Sequence, residues 1–190
     1  EVRSMKPILE MRGITKRFPG VIANDNVNLT IYPGEVHALL GENGAGKSTL
    51  MNILSGIYSP NDGYIYINGK LSWIDGPKSA IAQGIGMVHQ HFKLIEPLTV
   101  AENIYLAVGK RCPFLLNKKK MEEEIRRCSE EYHLPVDPSA RINQLSVGEQ
   151  QRVEIVKQLY CGANILVLDE PTAVLTPQES DELMEIMRGL

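Results

Sequence analysis

The residues whose types and spacing suggest chemistry most directly lie between Gly41 and Thr49, where the sequence reads GENGAGKST. This segment meets the pattern G-x-x-x-x-G-K-[ST], with Gly41, Gly46, Lys47 and Ser48 at its four fixed positions. Glycines permit backbone angles that other residues avoid, so successive N–H groups can point at one anion. A helix that begins here adds its N-terminal N–H groups and the positive end of its dipole. The segment therefore predicts a loop that binds the phosphate groups of ATP.

The side chains of this loop have separate predicted roles. Lys47 is expected to reach the β- and γ-phosphates, and the Ser48 hydroxyl is expected to ligate Mg²⁺. Thr49 is expected to help hold the α-phosphate. The predicted nucleotide contacts of the loop are made by Gly41, Asn43, Gly44, Ala45, Gly46, Lys47, Ser48 and Thr49.

Two acids at the end of an apolar run form a second candidate group. Ile165 to Leu168 reads ILVL, the profile of a buried parallel strand, and Asp169 and Glu170 follow directly. A phosphate-binding loop enzyme needs an acid at such a strand end to hold the magnesium shell, and Asp169 fits that position. Glu170 could orient and polarise an attacking water. The alternative for the pair is two acids that merely end a strand.

A strand before the loop and a helix after it must position these groups. Val36 to Leu40 is a mostly apolar run and predicts the strand, while Lys47 to Ser55 predicts the helix. Alternating apolar and polar residues predict further strands at Val27 to Ile31 and Gly63 to Ile67. Shorter strands are predicted at residues 8–11, 15–18 and 86–88, with an Asn68–Gly69 turn.

The second half of the chain is predominantly helical in pattern. Apolar residues at helical spacing predict a helix at Thr99 to Val108, and the charged run Lys118 to His133 predicts a solvated helix. Further helices are predicted at Glu149 to Tyr160 and from Pro177 onward. Strands first, helices in the middle and a strand and helix again predict an α/β fold with a helical insertion at about residues 97–158.

Composition restricts the function classes. The chain has 190 residues with a net charge of −3, which gives no basic field to attract nucleic acid, and no nucleic-acid partner is expected. Three cysteines without a C-x-x-C pair favour a reduced, intracellular chain. The apolar runs are far shorter than the roughly 18 residues that span a bilayer. A membrane role would therefore be a docking role.

The segment Leu145 to Arg152, LSVGEQQR, is the most specific one in the chain. It resembles the LSGGQ signature motif of the ABC-type ATPases, and the phosphate loop and the Ile165 to Glu170 segment resemble the Walker A and Walker B motifs of that family. Gln90 matches its Q-loop glutamine. Phe18 lies 47 − 18 = 29 residues before Lys47, where the family has an adenine-stacking aromatic. Ala173 to Thr176 matches the D-loop.

The resemblance implies a fold and roles for these residues. The implied fold is a P-loop NTPase core with an N-terminal antiparallel β subdomain and an inserted helical subdomain, in an ABC domain over residues 5–190. It implies catalytic roles for Glu170, Gln90 and Lys47, with Ser48, Gln90 and Asp169 around Mg²⁺. It also implies ATP contacts from Phe18 and, on the signature, from Ser146, Gly148 and Glu149.

The signature departs from LSGGQ at Val147 and Glu149, but Gly148, whose backbone must approach phosphate closely, is kept. In the family, two domains pair head to tail, and the signature of one faces the γ-phosphate bound to the other. In transporters the movement passes to a membrane permease through the segment after the Q-loop glutamine, here His91 to Glu102. The implied location is cytoplasmic, at the inner face of the membrane.

The family also places a switch histidine a few tens of residues after the Walker B motif, and none of the four histidines of this chain follows Glu170. We therefore expect the chain to be incomplete at its C-terminal end. A chain without that histidine is expected to bind nucleotide but to hydrolyse it poorly.

Three hypotheses for the function remain. The first is the ATP-binding subunit of a transporter; MVHQHFKLIEPLTVAENIYL and DEPTAVLTPQE look most like bacterial importers of simple sugars or nucleosides, in which this would be the N-terminal ATP-binding domain. The second is a soluble ABC ATPase of DNA repair or translation, which would usually carry a long coiled coil or basic linkers. The third is a regulatory domain that only binds ATP, against which Lys47, Asp169 and Glu170 argue.

Overall fold

The computed structural model describes residues 6–90, 92–109, 118–173 and 175–189. The chain divides into two compact units, Glu1–Ile85 and Gly86–Leu190. The elements of the two units confirm the α/β class that the sequence predicts.

The first unit is built on a four-stranded antiparallel sheet with the strand order β2-β1-β3-β4. Its elements are β1 (Leu9–Phe18), β2 (Val21–Ile31), α1 (Lys47–Leu54), β3 (Asp62–Ile67), β4 (Lys70–Ser72) and α2 (Pro77–Ala82). The two short N-terminal strands of the prediction are one continuous strand, and the strand predicted at Val27 begins earlier, at Val21.

Alternation along the strands separates the two faces of this sheet. In β1, Leu9 and Met11 are buried, and Arg12, whose side chain points to the opposite face, is exposed. Leu9 is paired with Ile31 on one side and Ile67 on the other, so apolar residues line one face. The buried positions of α1, which are Leu50, Ile53 and Leu54, supply further apolar side chains to this unit's core.

The strand predicted at Val36 to Leu40 is wrong: these residues form no strand in the structure. A strand with an apolar run on both faces needs cover on both sides. Here Val36 is 58% exposed and Leu40 is 91% exposed, so the face that these two residues would share in a strand has no cover. The phosphate loop is therefore preceded by irregular chain, although the predicted helix after it is confirmed as α1.

The second unit is mainly helical. Its elements are β5 (Ile85–Val88, which begins at the unit boundary), α3 (Val100–Val108), α4 (Lys118–Glu131), a short 3₁₀ helix (Ile142–Gln144), α5 (Val147–Tyr160), β6 (Ile165–Leu168) and α6 (Pro177–Gly189). Strands β5 and β6 pair in a two-stranded sheet. All four helices that the sequence predicts here are confirmed, with ends that differ by up to two residues.

One apolar cluster joins the helices of this unit. Its buried members are Val88, Val100, Ala101, Ile104, Met121, Ile125, Leu134, Ile142, Val153, Ile155, Val156 and Leu183. The charged helix α4 contributes only Met121, Ile125 and Ser129 to the interior, and its i,i+4 ion pairs lie on the outside. The charge run is therefore a solvated helix face, as predicted. Among the helices that the structure describes, none is both long and apolar enough to cross a bilayer.

Candidate functional site

The predicted phosphate loop leads into helix α1, whose N-terminus has no side-chain cap. Gly46 is the N-cap of α1, in the left-handed region with φ 87°, and no side chain caps the helix. The first turn of α1 also contains no acidic residue. Because the first N–H groups of a helix have no partner within it, this terminus presents donors and a positive dipole end to an anion. Ser48 and Thr49 lie in that first turn, and Ser48 is exposed.

The side chain of Lys47 folds back over the loop. Its Nζ donates to the carbonyl oxygens of Gly41 at 2.7 Å and Glu42 at 2.8 Å. Gly41, Asn43, Gly44 and Ala45 are all exposed. The structure thus brings the lysine and the loop backbone together as the sequence predicts, and it places the ammonium group on the loop itself.

Strand β2 packs against the end of this loop at Gly46. A β-carbon on Gly46 would lie 2.1 Å from the Ala23 carbonyl oxygen and 2.7 Å from Asn24 Nδ2, so only glycine fits. Asn24 is 6% exposed, and its Nδ2 donates to the Gly46 oxygen at 3.1 Å. The amide of Asn24 therefore holds the loop in place. Asn24 was not predicted as a site residue, because in the sequence it is one of three consecutive polar residues of β2 and nothing distinguishes it from Asp25 and Asn26.

The predicted adenine-stacking residue belongs to an aromatic pair. Phe18 lies at the end of β1, and its ring packs edge to face on Tyr58, with centroids 5.3 Å apart and planes at 75°. Lys16 Nζ lies 5.3 Å from the Phe18 centroid and 5.7 Å from that of Tyr58, and it donates to the Ser59 oxygen at 2.7 Å. Tyr58 was not identified from the sequence as a partner of Phe18.

In the second unit, Gln90 and the two acids lie where β5 and β6 end. The Asp169 N–H donates to the Val88 oxygen at 3.1 Å, so the last residue of β5 is next to the first residue after β6. Gln90 is exposed, Asp169 is half-buried and Glu170 is exposed. Glu170 has φ 46°, a left-handed conformation that is uncommon for a residue with a side chain.

The signature segment forms the N-terminus of α5. Ser146 is the N-cap: its Oγ accepts from the Glu149 N–H at 3.2 Å, and Glu149 Oε2 accepts from the Ser146 N–H at 2.7 Å. This reciprocal arrangement is a capping box. Glu149, which replaces the usual glutamine of the signature, therefore caps helix α5. The S-x-x-E spacing of Ser146 and Glu149 is the sequence pattern that predicts this capping box.

A carboxylate from α6 lies over the start of α5. Gly148 is buried, and a β-carbon on it would lie 2.6 Å from Glu179 Oε1. The hydrogen bonds from the Thr176 N–H and hydroxyl, both 3.0 Å, hold the pKa of Glu179 below its ordinary value, and the Gly148 N–H and the Arg152 charge lower it further. Glu179 was not predicted as a site residue.

A buried ion pair links α5 to the segment that follows Gln90. Glu154 Oε2 lies 2.6 Å from Lys157 Nζ, and Glu154 Oε1 accepts from the Lys93 N–H at 2.8 Å. Lys93 Nζ in turn lies 3.0 Å from His89 Nε2. Burial lowers the pKa of His89, the charge of Lys93 lowers it further, and the nearby carboxylates of Glu154 and Asp169 act in the opposite direction. His91 and Val174, which belong to the predicted coupling segment and D-loop, lie outside the described residues.

The comparisons with known proteins identify the family. The family model described as ABC transporter matches residues 24–173, and the chain belongs to this family of ATP-binding ATPase domains. The chain is 55% identical over 183 residues to the nucleoside import ATP-binding protein NupA of Lactococcus lactis subsp. cremoris, covering 96% of this chain and 36% of the relative. It is 52% identical over 186 residues to the guanosine import ATP-binding protein NupO of Bacillus subtilis, covering 98% and 36%.

More distant relatives carry another solute in their names. A ribose import ATP-binding protein, RbsA 1 of Rubrobacter xylanophilus, is 48% identical over 186 residues, with 98% of this chain and 37% of the relative covered. The chain therefore spans little more than a third of the length of the curated relatives it matches.

Solved structures agree with the family and the fold. An ATP-binding cassette of an ABC transporter in its ADP conformation matches with a TM-score of 0.81 and 26% identity, over 96% of this chain and 76% of that chain. The dimeric structure of a bacterial ABC transporter cassette matches with a TM-score of 0.76 and 29% identity, over 94% and 81%.

Proposed function

We propose that this chain is an ATP-binding domain of an importer, and that it couples ATP binding and hydrolysis to the transport of a nucleoside or simple sugar through a membrane permease. The observation that carries the proposal is the start of α1, an uncapped helix terminus with Lys47 lying on the loop that precedes it. The names of the relatives, which are nucleoside, guanosine and ribose import proteins, support the solute class. They give no support to the alternative of a soluble repair or translation ATPase.

At the loop, ATP binding is an exchange of partners for Lys47. The ammonium group leaves the carbonyl oxygens of Gly41 and Glu42 for the β- and γ-phosphates, and the N–H groups at the start of α1 donate to the same phosphates. The exposed loop residues Asn43, Gly44 and Ala45 are open to this approach. Phe18 stacks on the adenine, with Tyr58 fixing the orientation of its ring.

Three residues are proposed to be ligands of Mg²⁺. Ser48 offers a hydroxyl oxygen, Gln90 an amide oxygen and Asp169 a carboxylate. Mg²⁺ prefers such oxygen ligands, and it needs only a few from the protein because phosphate and water complete its coordination shell. When bound, Mg²⁺ neutralises charge on the phosphates. Among the described residues there is no cluster of three or more His, Cys, Asp or Glu side chains that could hold a metal ion.

Glu170 is the proposed general base. It is exposed, follows Asp169 directly and lies two residues after the end of β6, with φ 46°. An exposed carboxylate at this place can accept a proton from the water that attacks the γ-phosphate. Gln90 lies at the end of the neighbouring strand and is proposed to orient the same water.

The signature is proposed to close the site of a second domain. Ser146 is the N-cap of α5 and Gly148 lies in its first turn, so the Ser146 hydroxyl and the Gly148 N–H can donate to the γ-phosphate bound by a partner in a head-to-tail pair. The dimeric cassette among the similar structures supports pairing. The segment from residue 92 to Glu102 is proposed to contact the permease, which would place the domain at the inner face of the membrane.

Two variants test the ATP site. Lys47→Ala is expected to weaken the binding of a fluorescent ATP analogue at least tenfold, while Lys70→Ala, which removes an exposed lysine of β4, is expected to leave it unchanged. Glu170→Gln is expected to keep binding but to abolish turnover in the full-length protein, measured by phosphate release. Equal binding by the two lysine variants, or normal turnover by Glu170→Gln, would show that these roles are wrong.

The transport role is tested by uptake in cells whose gene for this protein is disrupted. Uptake of labelled guanosine or ribose is expected to fall and to return with the wild-type gene but not with the Lys47→Ala gene. Unchanged uptake of every nucleoside and simple sugar tried would contradict the importer proposal.

A further inference from the structure

The backbone at Glu170, the proposed general base, has an unusual conformation. Its φ is 46°, in the left-handed region that residues with a side chain seldom occupy. Pro171 follows directly, and a residue before proline is normally held in an extended conformation with negative φ. The Glu170 side chain is exposed, so packing around it does not impose this conformation. Strained backbone of this kind persists only where the surrounding structure fixes it.

Two main-chain hydrogen bonds hold the chain around Glu170. The Asp169 N–H donates to the Val88 oxygen at 3.1 Å, which ties the residue before Glu170 to β5. The Ala173 N–H donates to the Glu170 oxygen at 3.1 Å and closes a turn that has Pro171 at its second position. Because both bonds join main-chain groups, they do not depend on the side chains at these positions.

A buried side chain of α5 makes a third hydrogen bond to this turn. Gln151 is 2% exposed, and its Nε2 donates to the Pro171 oxygen at 2.8 Å. A carbonyl oxygen can only accept, so the group that faces it must be the amide nitrogen of Gln151. The bond joins the helix that begins with the signature to the residue after Glu170. Unlike the two main-chain bonds, it depends on the residue type at position 151.

The other end of the Gln151 amide distinguishes this contact from ordinary packing. Its Oε1 is buried and has no hydrogen-bond partner among the residues that the structure describes. A buried polar atom without a partner costs free energy, which an apolar side chain of similar size would avoid. The hydrogen bond to Pro171 is therefore what glutamine supplies at this position beyond the filling of space.

We propose that Gln151 is a positioning residue for Glu170, because its amide holds the Pro171 carbonyl and with it the left-handed backbone that carries the Glu170 carboxylate. The proposal rests on the proposed function, since it requires Glu170 to be the general base. Without this hydrogen bond, Glu170 is free to return to the extended backbone that the following proline favours, and its carboxylate moves away from the attacking water. A displacement of about 1 Å at a reacting group can lower a rate about a hundredfold.

The first test asks whether Gln151 holds the turn. Hydrogen exchange of single amides is measured by NMR in this chain, for the wild type, Gln151→Met and Gln158→Met. Methionine is as long and unbranched as glutamine but has no N–H to donate, and Gln158 is the matched control because it lies two turns further along α5. Gln151→Met is expected to speed exchange of the Ala173 N–H about tenfold and to leave that of the Asp169 N–H unchanged. Equal Ala173 rates in the three proteins, or faster exchange of both amides in Gln151→Met, would overturn the proposal.

The second test separates positioning from binding and folding. In the full-length protein, Gln151→Met is expected to lower kcat for phosphate release about tenfold or more, toward the level of Glu170→Gln. The Kd for a fluorescent ATP analogue is expected to change less than about twofold, since Gln151 is not among the proposed nucleotide contacts. The Tm is expected to change by less than about 2 °C, because methionine removes the unpartnered Oε1 together with the hydrogen bond. Gln158→Met is expected to leave all three quantities unchanged.

The outcomes separate this inference from the proposed function. If kcat of Gln151→Met equals that of Gln158→Met, Gln151 does not position the base, and the inference is overturned while the proposed function stands. If kcat falls only together with ATP affinity or Tm, Gln151 has a purely structural role and the inference is also overturned. If Glu170→Gln releases phosphate at the wild-type rate, Glu170 is not the base, and the inference fails together with that part of the proposed function.

Discussion

The buried pair of Glu154 and Lys157 allows a quantitative prediction. Both charges lie within the second unit, with side-chain exposures of 4% for Glu154 and 10% for Lys157. Glu154 has two partners, since it faces Lys157 Nζ at 2.6 Å and accepts from the Lys93 N–H at 2.8 Å. Substituting Glu154 by alanine would leave a buried ammonium without its counterion and a main-chain N–H without its acceptor.

The expected cost follows from these two losses. Removing one partner of a buried ion pair costs about 3–5 kcal/mol, because the other charge stays buried and unpaired. For a chain of 190 residues, about 2–4 °C of melting temperature are lost per kcal/mol, so Glu154→Ala is expected to lower Tm by roughly 6–20 °C. The double variant Glu154→Leu with Lys157→Met removes both charges, so only the Lys93 N–H is left unpaired, at about 1–3 kcal/mol.

The measurement is a double-mutant cycle on the wild type, Glu154→Leu, Lys157→Met and the double variant, by urea unfolding followed by circular dichroism. Glu154→Ala is measured in the same way. Glu123→Ala is the control, because Glu123 pairs with Arg127 on the exposed face of α4 and such pairs contribute about 0–1 kcal/mol. The reasoning is refuted if Glu154→Ala destabilises no more than Glu123→Ala. It is also refuted if the double variant costs the sum of the two single variants.

Two further variants test other parts of the structure. Gly46→Ala is expected to lower Tm by more than Gly20→Ala, as measured by differential scanning calorimetry. Both variants place a side chain at positive φ, which costs about 1–2 kcal/mol, but only at Gly46 would the β-carbon meet the Ala23 oxygen, at 2.1 Å. Equal losses of Tm in the two variants would contradict the close contact. The pKa of His89 in the folded chain is lowered from its ordinary 6.5, mainly by burial, so the unfolded chain binds the proton more readily and the stability falls as the pH drops below about 6.5. The urea midpoints at pH 7.5 and pH 5.5 are therefore expected to differ less in His89→Gln than in the wild type. An equal difference in the two proteins would contradict this account.

The sequence predicted best where a local pattern carries its own reason. The G-x-x-x-x-G-K-S segment fixes a helix start at Lys47 because glycine alone tolerates the left-handed angle at Gly46, and the structure has that start. The apolar run from Ile165 to Leu168 gave β6 with the predicted bounds. Local pattern failed at Val36 to Leu40, because strand formation depends on neighbouring strands that a periodicity argument does not contain.

The site residues that the sequence did not reveal all act through tertiary contacts. Asn24, Glu154 and Glu179 are single polar residues without a motif, and each acquires its role only from a partner between 22 and 61 residues away or from a neighbouring helix. The roles of Gln90, Asp169, Glu170 and the loop residues in catalysis and nucleotide binding stay predictions, since they concern a ligand. The capping role of Glu149 could have been predicted from its spacing to Ser146.

Main-chain hydrogen bonds connect the start of α3 to the segment that precedes the signature. Val100 N–H and Ala101 N–H donate to the carbonyl oxygens of Ala140 and Pro138 at 2.9 and 3.0 Å, and the N–H groups of Ile142 and Asn143 donate back to Leu98 and Glu96 at 3.1 and 3.2 Å.

These four main-chain hydrogen bonds tie residues 96–101 to residues 138–143, only a few residues before the signature. Separating the two segments would break all four, at about 0.5–1.5 kcal/mol each. Because these hydrogen bonds connect the two segments directly, a displacement of residues 96–101 is expected to move the chain that leads into α5 with it.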